Sequence, residues 1–441
     1  MRRQLIFVLI VFSGIISAQD NNEVIKLNLE KSIELALENN HDIRKAELDR
    51  QKALEQVDEA WGTALFPKID AAASYNRAIK LPVFTFQVET PEGPVTQSFR
   101  MGADNTLSAS LSVEQTLFSG SVFLAVSTAR VYANISDKAF KATRENMIAH
   151  VKKAYYSVLV AKEVVELSRQ NLKLSQDNLK NAESMYNAGL ISEYDQIKAR
   201  VQVQNLIPNV KQTENALIFS ENLLKILTGL EVNRRIQIDD SLSFKEMNIP
   251  ESEAENILVE NNSTLNQLKL QIQFQDKLVS YQFSQHFPEL SVVGNWQSQA
   301  QENDERHLNN YVFRNAISAG LNLRIPIFSG GQTSSRVQQA KIDRMRVNED
   351  YVQTTKTLRN QLQNTLLRIK ETRELMEAYN GTIAQAQRGY EIAVKRFSAG
   401  LGTQLEVVDA QVAMTQAKVN YLSAVYDYYS YNADFEQLLG R

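Results

Sequence analysis

The chain has no cysteine among its 441 residues, and it is poor in glycine, proline and histidine. The missing cysteines exclude disulfides, thiolate metal sites, a thiol nucleophile and a lipid-modified amino-terminal cysteine. Because there are only 16 glycines and 8 prolines, we expect few turns and long regular elements. The four histidines are scattered and show no metal-ligand spacing: His41, His150, His286 and His307.

Strong net charge and catalytic motifs are also missing. The formal net charge is −3, so no global positive field indicates a nucleic-acid partner. The sequence contains no phosphate-binding glycine loop, nucleophile elbow or zinc-protease motif. We therefore expect a protein that is not an enzyme, has no catalytic residues and uses no cofactor or metal.

Residues 1–18 have the pattern of a secretory signal peptide. Arg2 and Arg3 precede a mostly apolar run at 5–17, and Ala18 completes a small-residue cleavage site. The apolar run is shorter than the roughly 20 residues that a membrane-spanning helix needs. No later stretch is apolar enough for such a helix, so the exported chain is either soluble or crosses a membrane as β-strands.

The chain repeats its own landmarks in the same order, which indicates a duplicated unit. Three motifs occur twice: Phe-Pro at 66–67 and 287–288, Phe-Ser-Gly at 118–120 and 328–330, and Ala-Gly-Leu at 188–190 and 399–401. A repeat of this size is a duplicated domain rather than a short solenoid unit. We expect a first structural repeat at 19–230 and a second at 251–441, joined by a connecting segment at 231–250.

Each repeat contains two segments in which apolar and polar residues alternate. We expect four strands in all, at 68–80, 105–118, 288–301 and 316–328. Strands of about ten residues with one apolar and one polar face are typical of membrane β-barrels. An ordinary β-sandwich also alternates, but only four strands set between very long helical runs argue against it.

Two stretches of about seventy residues, 119–188 and 329–399, lack proline and have helical composition. An unbroken helix of that length is about 100 Å long. Gly189 and Gly400 stand where each helix must end, and a second helical run follows. Each Ala-Gly-Leu motif is therefore predicted to be the tip of a helical hairpin. A plain coiled coil is the alternative, but the heptads are irregular.

Four membrane-type strands in two pairs, each pair followed by a long helix and a returning one, resemble the TolC-like outer membrane efflux proteins. The resemblance covers the mature chain through the three repeated motifs and the ending at 420–440. It implies a mostly α fold with a membrane β-barrel: long α-helical hairpins form a periplasmic α-barrel, joined to a trimeric 12-stranded outer-membrane β-barrel with four strands per chain.

The same resemblance implies a function and partners. The protein is expected to be the exit duct of a tripartite efflux or type I secretion system, conducting substrates passively through a gated periplasmic entrance. Its expected partners are two further copies (a homotrimer), a periplasmic adaptor or membrane fusion protein, an inner-membrane transporter and outer-membrane lipid. The cargo stays open among drugs, metal ions, siderophores and polypeptides.

Two other function classes stay open on the residues alone. One is a non-conducting outer-membrane protein with a structural or adhesive role. The other is a soluble periplasmic adaptor, which the four strands argue against.

The resemblance also points to a gate at the hairpin tips. Glu406 and Asp409 match the acidic residues that ring the family's constriction, and their spacing puts them on one helix face. A threefold ring of carboxylates attracts cations. Asp195 matches the acidic partner at the first tip. Phe397 replaces a tyrosine that bonds to this partner in the family, and Gly402 stands where the family's best-known member has an arginine.

Because Phe397 has no hydroxyl and Gly402 has no side chain, the lock between the two hairpins must differ from the family's. Four polar or aromatic residues near the first tip are candidates to supply it: Tyr186, Glu193, Tyr194 and Arg200.

Overall fold

The structure, a computed structural model, describes residues 24–91, 93–240, 242, 250–304 and 306–441. The predicted signal peptide at 1–18 lies outside the described residues, and so do residues 241 and 243–249 of the predicted connecting segment. The chain forms two compact units. The hairpin unit comprises the described part of Met1–Ala46 with Lys141–Asn262 and Lys356–Arg441, and the sheet unit comprises Glu47–Phe140 and Ser263–Thr355.

Helices make up most of the described residues. They are α1 (Leu29–Asn39), α2 (His41–Leu65), α3 (Gly120–Asn187), α4 (Glu193–Leu227), α5 (Glu251–Asn261), α6 (Ser263–Ser284), α7 (Gln332–Ser398) and α8 (Gln404–Leu438). The two predicted long helices are confirmed, since α3 has 68 residues and α7 has 67. Helix α7 begins three residues later than Ser329, because Gly330 and Gly331 have left-handed φ angles of 62° and 79°.

The expectation of only four strands is wrong, because the described residues contain eight. They are β1 (Ile25–Lys26), β2 (Lys68–Arg77), β3 (Val83–Thr90), β4 (Gly93–Arg100), β5 (Asn105–Ser119), β6 (Ile236–Gln237), β7 (Glu289–Glu302) and β8 (Arg314–Arg324). Strands β3 and β4 form a separate antiparallel hairpin, and the short strands β1 and β6 pair in parallel.

The four predicted strands form one antiparallel sheet in the order β2-β5-β7-β8. Its register separates two faces. One row of directly paired residues is apolar: Ala71, Leu111, Trp296 and Ile317. The next row is polar: Asp70, Ser112, Asn295 and Ser318. The alternation in the sequence is therefore a property of the whole sheet, with one apolar face and one polar face.

The ends of two strands differ from the sequence prediction by more than one residue. Strand β2 stops at Arg77 instead of residue 80, although Ala78 N–H still donates to the Asp104 carbonyl at 2.8 Å. Strand β8 begins at Arg314 and stops at Arg324 rather than residue 328. Pro326 lies two residues further on, and proline has no backbone N–H to contribute to a sheet.

The two edge strands, β2 and β8, have a partner on one side only among the described strands. Apolar side chains on β8 are exposed: Ile317 by 81% and Leu321 by 71%. A single chain therefore leaves backbone hydrogen-bonding groups and an apolar surface uncovered along the sheet. None of the helices in the described residues is both long and apolar enough to cross a membrane.

Four helices end in the same way, two in each half of the chain. In each, a left-handed glycine donates its N–H to the carbonyl three residues back, and the next residue donates to the carbonyl five residues back. This is the Schellman arrangement, which glycine favours because it has no Cβ. The four glycines are Gly189, Gly229, Gly400 and Gly440.

The duplication extends to a matching tertiary contact. The Asn40 side chain donates to the Leu227 carbonyl at 3.0 Å, where the first hairpin ends. In the second half, the Asn262 side chain donates to the Leu438 carbonyl, also at 3.0 Å. Each bond satisfies a carbonyl at a helix end. In each half, the asparagine between two helices thus binds the end of the returning helix. These helices are α1, α2 and α4 in the first half and α5, α6 and α8 in the second.

We predict that Gly229→Ala and Gly440→Ala destabilise the protein more than Gly189→Ala does. All three glycines have φ near +70°, so each alanine incurs about 1–2 kcal/mol of backbone strain. A Cβ at Gly229 or Gly440 would also lie 2.6 Å from Asn39 or Asn261, whereas nothing lies within 4 Å at Gly189.

Urea unfolding in detergent, followed by circular dichroism, measures this difference. We expect the free energy of unfolding to fall by at least about 1 kcal/mol more at the two crowded positions, the usual cost of overpacking. Equal losses at all three glycines would contradict the close approach.

Candidate functional site

The two hairpin tips pack together through one buried cluster in the hairpin unit. It contains small, aliphatic and aromatic side chains from α3, α4, α7 and α8: Ala182, Met185, Ala199, Tyr390, Ala393, Phe397, Val407 and Met414. Phe397 is only 2% exposed. The residue that replaces the family's tyrosine is therefore a core side chain, whose burial stabilises the packing of both tips.

Each tip continues into its second helix through a capped start. The Ser192 hydroxyl accepts a hydrogen bond from the Asp195 N–H at 3.2 Å and donates to the Asp195 carboxylate at 2.7 Å. The Thr403 hydroxyl accepts from the Glu406 N–H at 3.3 Å. Asp195 and Glu406 therefore occupy equivalent positions in the two halves, where a carboxylate also favours the helix amino terminus.

Sequence reasoning missed these two caps. The signal was present, because serine or threonine followed three residues later by an acidic residue marks a helix start. Ser192 and Thr403 also follow their tip glycines by three residues in both halves.

The two predicted gate carboxylates, Glu406 and Asp409, are exposed on α8. Val407, between them in the sequence, is fully buried. Glu406 forms an ion pair with Arg396, at 3.6 Å from Oε2 to Nε. Among the described residues, no hydrogen bond or ion pair joins Asp195 to either α8 carboxylate. The structure therefore places Glu406 and Asp409 on one surface and holds Asp195 at its own cap.

Polar contacts between the two hairpins come from residues that the sequence did not single out. Gln411 is 1% exposed, and its amide donates to the Asn171 carbonyl at 3.0 Å and to the Ser175 hydroxyl at 2.8 Å. Two more bonds connect α3 to α7: Asn178 to Tyr390 at 3.0 Å and Asn181 to Ser398 at 3.1 Å. The small and polar residues of α3 thus serve the contact between hairpins.

Burial raises the pKa of the Tyr390 phenol, so this group stays neutral well above neutral pH. Its oxygen accepts the Asn178 hydrogen bond in a partly desolvated position. Such buried bonds contribute about 0.5–1.5 kcal/mol each and are expensive to leave unmade.

The four residues predicted to link the two hairpins do not make that link in the described structure. Arg200 pairs with Glu183 of the same hairpin at 3.2 Å, and the Tyr194 ring contacts Lys198 beside it in α4. Tyr186 and Glu193 are exposed. Near the tips, the described hydrogen bonds between the hairpins are therefore made by amide and hydroxyl side chains rather than by these four residues.

Acidic and histidine side chains do not gather into a metal site anywhere in the part of the chain that the structure describes. The side chains at the tips are placed to pack, to cap helices and to present charge.

A duplicated chain with a two-faced antiparallel sheet and two long helical hairpins belongs to the class of outer-membrane transport channels. The family described as outer membrane efflux protein matches residues 32–230 and 256–441, and the chain belongs to this family. The match falls into two segments, one in each half.

Relatives and solved structures agree with this assignment. The chain is 25% identical over 417 residues to the outer membrane protein TolC of Vibrio cholerae, covering 94% of this chain and 90% of that one. It is 23% identical to the cobalt-zinc-cadmium resistance protein CzcC of Cupriavidus metallidurans, covering 68% of each. The Campylobacter jejuni CmeC outer membrane channel matches with a TM-score of 0.76 and 20% identity, covering 97% of this chain and 90% of that one.

The protein is an outer-membrane efflux channel that extends into the periplasm, and it is a transport protein without enzymatic activity. Because the protein is the outer-membrane component of an efflux pump, partners in a tripartite pump are implied. The family that the sequence resembles and the channel function that this resemblance implies are confirmed.

We predict that Gln411→Ala lowers the free energy of unfolding by about 1–3 kcal/mol, because Asn171 and Ser175 lose a buried partner. Gln416→Ala is the matched control, since Gln416 lies on the same helix, is exposed and bonds only to Asn420. Its expected loss is below about 0.5 kcal/mol. Thermal and urea unfolding of the detergent-solubilised protein give both values, and similar losses would refute a special role for Gln411.

Proposed function

We propose that three copies of the chain assemble so that β2 of one copy pairs with β8 of the next. The observation that carries this proposal is the sheet with two unpaired edges and one apolar face. Backbone N–H and C=O groups exposed to lipid cost several kcal/mol each, so the edges must be covered. Three four-stranded sheets form a closed sheet of twelve strands, which satisfies every edge.

The helical hairpins of the three copies form the periplasmic wall of the duct. Each chain contributes two similar hairpins, from the proposed repeats 19–230 and 251–441, so the wall has nearly sixfold symmetry. A duplicated sequence encodes that symmetry within one chain. The repeated glycine ends and asparagine contacts support the equivalence of the two hairpins.

The tips form the gated periplasmic entrance in this proposal. Glu406 and Asp409 from three chains line the constriction, with Asp195 at the neighbouring tip and Phe397 in the packing beneath. Gly189, Gly400 and Gly402 allow the turns and the close contacts on which the tips depend. The exposure of both α8 carboxylates supports this role.

The duct works with a periplasmic adaptor and an inner-membrane transporter, which supplies the energy and selects the cargo. A passive duct with polar walls selects weakly, and the class of cargo follows from the transporter. Mass measurement of the detergent complex tests the trimer, and planar-bilayer conductance tests the duct. A monomer, or a trimer without conductance, would refute the proposal and favour a structural or adhesive role.

We predict that Glu406→Ala with Asp409→Ala weakens block of the channel current by La³⁺ added from the periplasmic side. The affinity for the blocker should fall at least about tenfold, since each lost charge pair is worth about 1 kcal/mol or more. Alanine is a good helix former, so folding should change little. Glu30→Ala with Glu34→Ala on α1 is the control and should leave the block unchanged. Undiminished block in the first variant would place the constriction elsewhere.

We predict that the segments Leu81–Ala103 and Glu302–Arg314, which join the strands of each pair, face the cell exterior. The native chain has no cysteine, so a single introduced cysteine reports cleanly. Thr96→Cys and Asn309→Cys, at exposed positions, should react with an impermeant thiol reagent on whole cells. Asn187→Cys at the first tip should react only after the outer membrane is disrupted. The reverse pattern would overturn this orientation.

A further inference from the structure

Arg396 at the carboxyl end of α7 is a cation at the second tip that the family resemblance did not single out. Its guanidinium lies 3.6 Å from the Glu406 carboxylate and donates a hydrogen bond to the Leu401 carbonyl at 3.0 Å. The Arg396 and Glu406 side chains are 55% and 46% exposed, so the pair faces water on the tip surface. The contact therefore connects the last helical turn of α7 with the first helical turn of α8, on either side of the loop at 399–403.

Gly402 leaves the space in which this pair forms. A Cβ at position 402 would lie 3.1 Å from Glu406 Oε2, 3.2 Å from Arg396 Cβ and 3.2 Å from the Phe397 backbone nitrogen. Those distances are shorter than ordinary van der Waals contacts, so a side chain at position 402 would require the neighbouring atoms to shift. Because glycine has no Cβ, position 402 leaves room for Arg396 to approach Glu406.

The pair changes the charge that the tip presents. Glu406 and Asp409 are both carboxylates, but only Glu406 has a cation within ion-pair distance among the described residues. Arginine guanidinium groups carry a positive charge in proteins. Each chain therefore shows one net negative charge from this trio instead of two, and Asp409 carries it.

We propose that Arg396 is a specificity-determining residue of the channel: it offsets Glu406 and leaves Asp409 to set the cation preference of the entrance. The inference rests on the proposed entrance at Glu406 and Asp409. Charges at a narrow mouth change the local concentration of ions of each sign, so a partly neutralised ring passes anions more readily than a fully acidic one.

The test is the ratio of K⁺ to Cl⁻ permeability of the full-length channel in planar bilayers across a KCl gradient. Arg396→Gln should raise this ratio about two- to fivefold, the effect expected when a neighbouring charge in partly aqueous surroundings is removed. Lys395→Gln is the matched control. It removes an equal charge from the adjacent exposed residue in the last turn of α7, for which no ion pair with Glu406 exists in the described structure. We expect little change.

Arg396→Lys separates charge from the fold of the tip. Lysine keeps the positive charge but not the forked hydrogen-bonding geometry of the guanidinium. We expect a ratio close to that of the native protein. If Arg396→Lys shifts the ratio as much as Arg396→Gln does, the residue acts through the shape of the tip and the proposal is wrong.

Two more variants separate this inference from the proposed entrance. Glu406→Gln and Asp409→Asn should each lower the ratio. If neither changes it, the entrance itself is misplaced and the inference falls with it. If both lower the ratio while Arg396→Gln has no larger effect than Lys395→Gln, the entrance stands and the role of Arg396 is refuted.

Discussion

The need to pair the backbone groups at the two edges of the β2-β5-β7-β8 sheet is the constraint on which the rest of the structure depends. A sheet with one apolar face suits lipid, but its edge strands expose N–H and C=O groups that lipid cannot solvate. The four strands of one chain are too few to close on themselves. In the proposed trimer, the other copies complete the sheet.

The contacts between the helical hairpins combine buried apolar clusters with polar pairs. A globular bundle buries one apolar stripe per helix, whereas α3 contributes asparagine, serine and alanine to its contacts with α7 and α8. Buried amide and hydroxyl pairs fix which residues face each other more strictly than apolar contacts do. The helix ends are also repeated in the two halves. In each half, left-handed glycines follow the helix ends, and an asparagine side chain donates to a carbonyl at the end of the returning helix.

At the tips, packing and charge are assigned to different residues. Phe397 and Val407 are buried and hold the hairpins together, while Glu406 and Asp409 stay at the surface. The positive charge beside Glu406 comes from Arg396 at the end of α7. Gly402 has no side chain, which leaves room for the ion pair between Arg396 and Glu406.

The sequence by itself determined the duplication, the two long helices, their glycine ends and the two faces of the sheet, because these depend on local periodicity and on residues that no other type can replace. It also indicated the family. Only the tertiary structure decided that β3 and β4 pair, that Phe397 is a core residue and that Gln411 contacts Asn171 and Ser175. The contacts of Phe397 and Gln411 involve residues far apart in the chain, and periodicity carries no information about such contacts. Strands β3 and β4 are adjacent in the chain, but the sequence prediction of four strands omitted them.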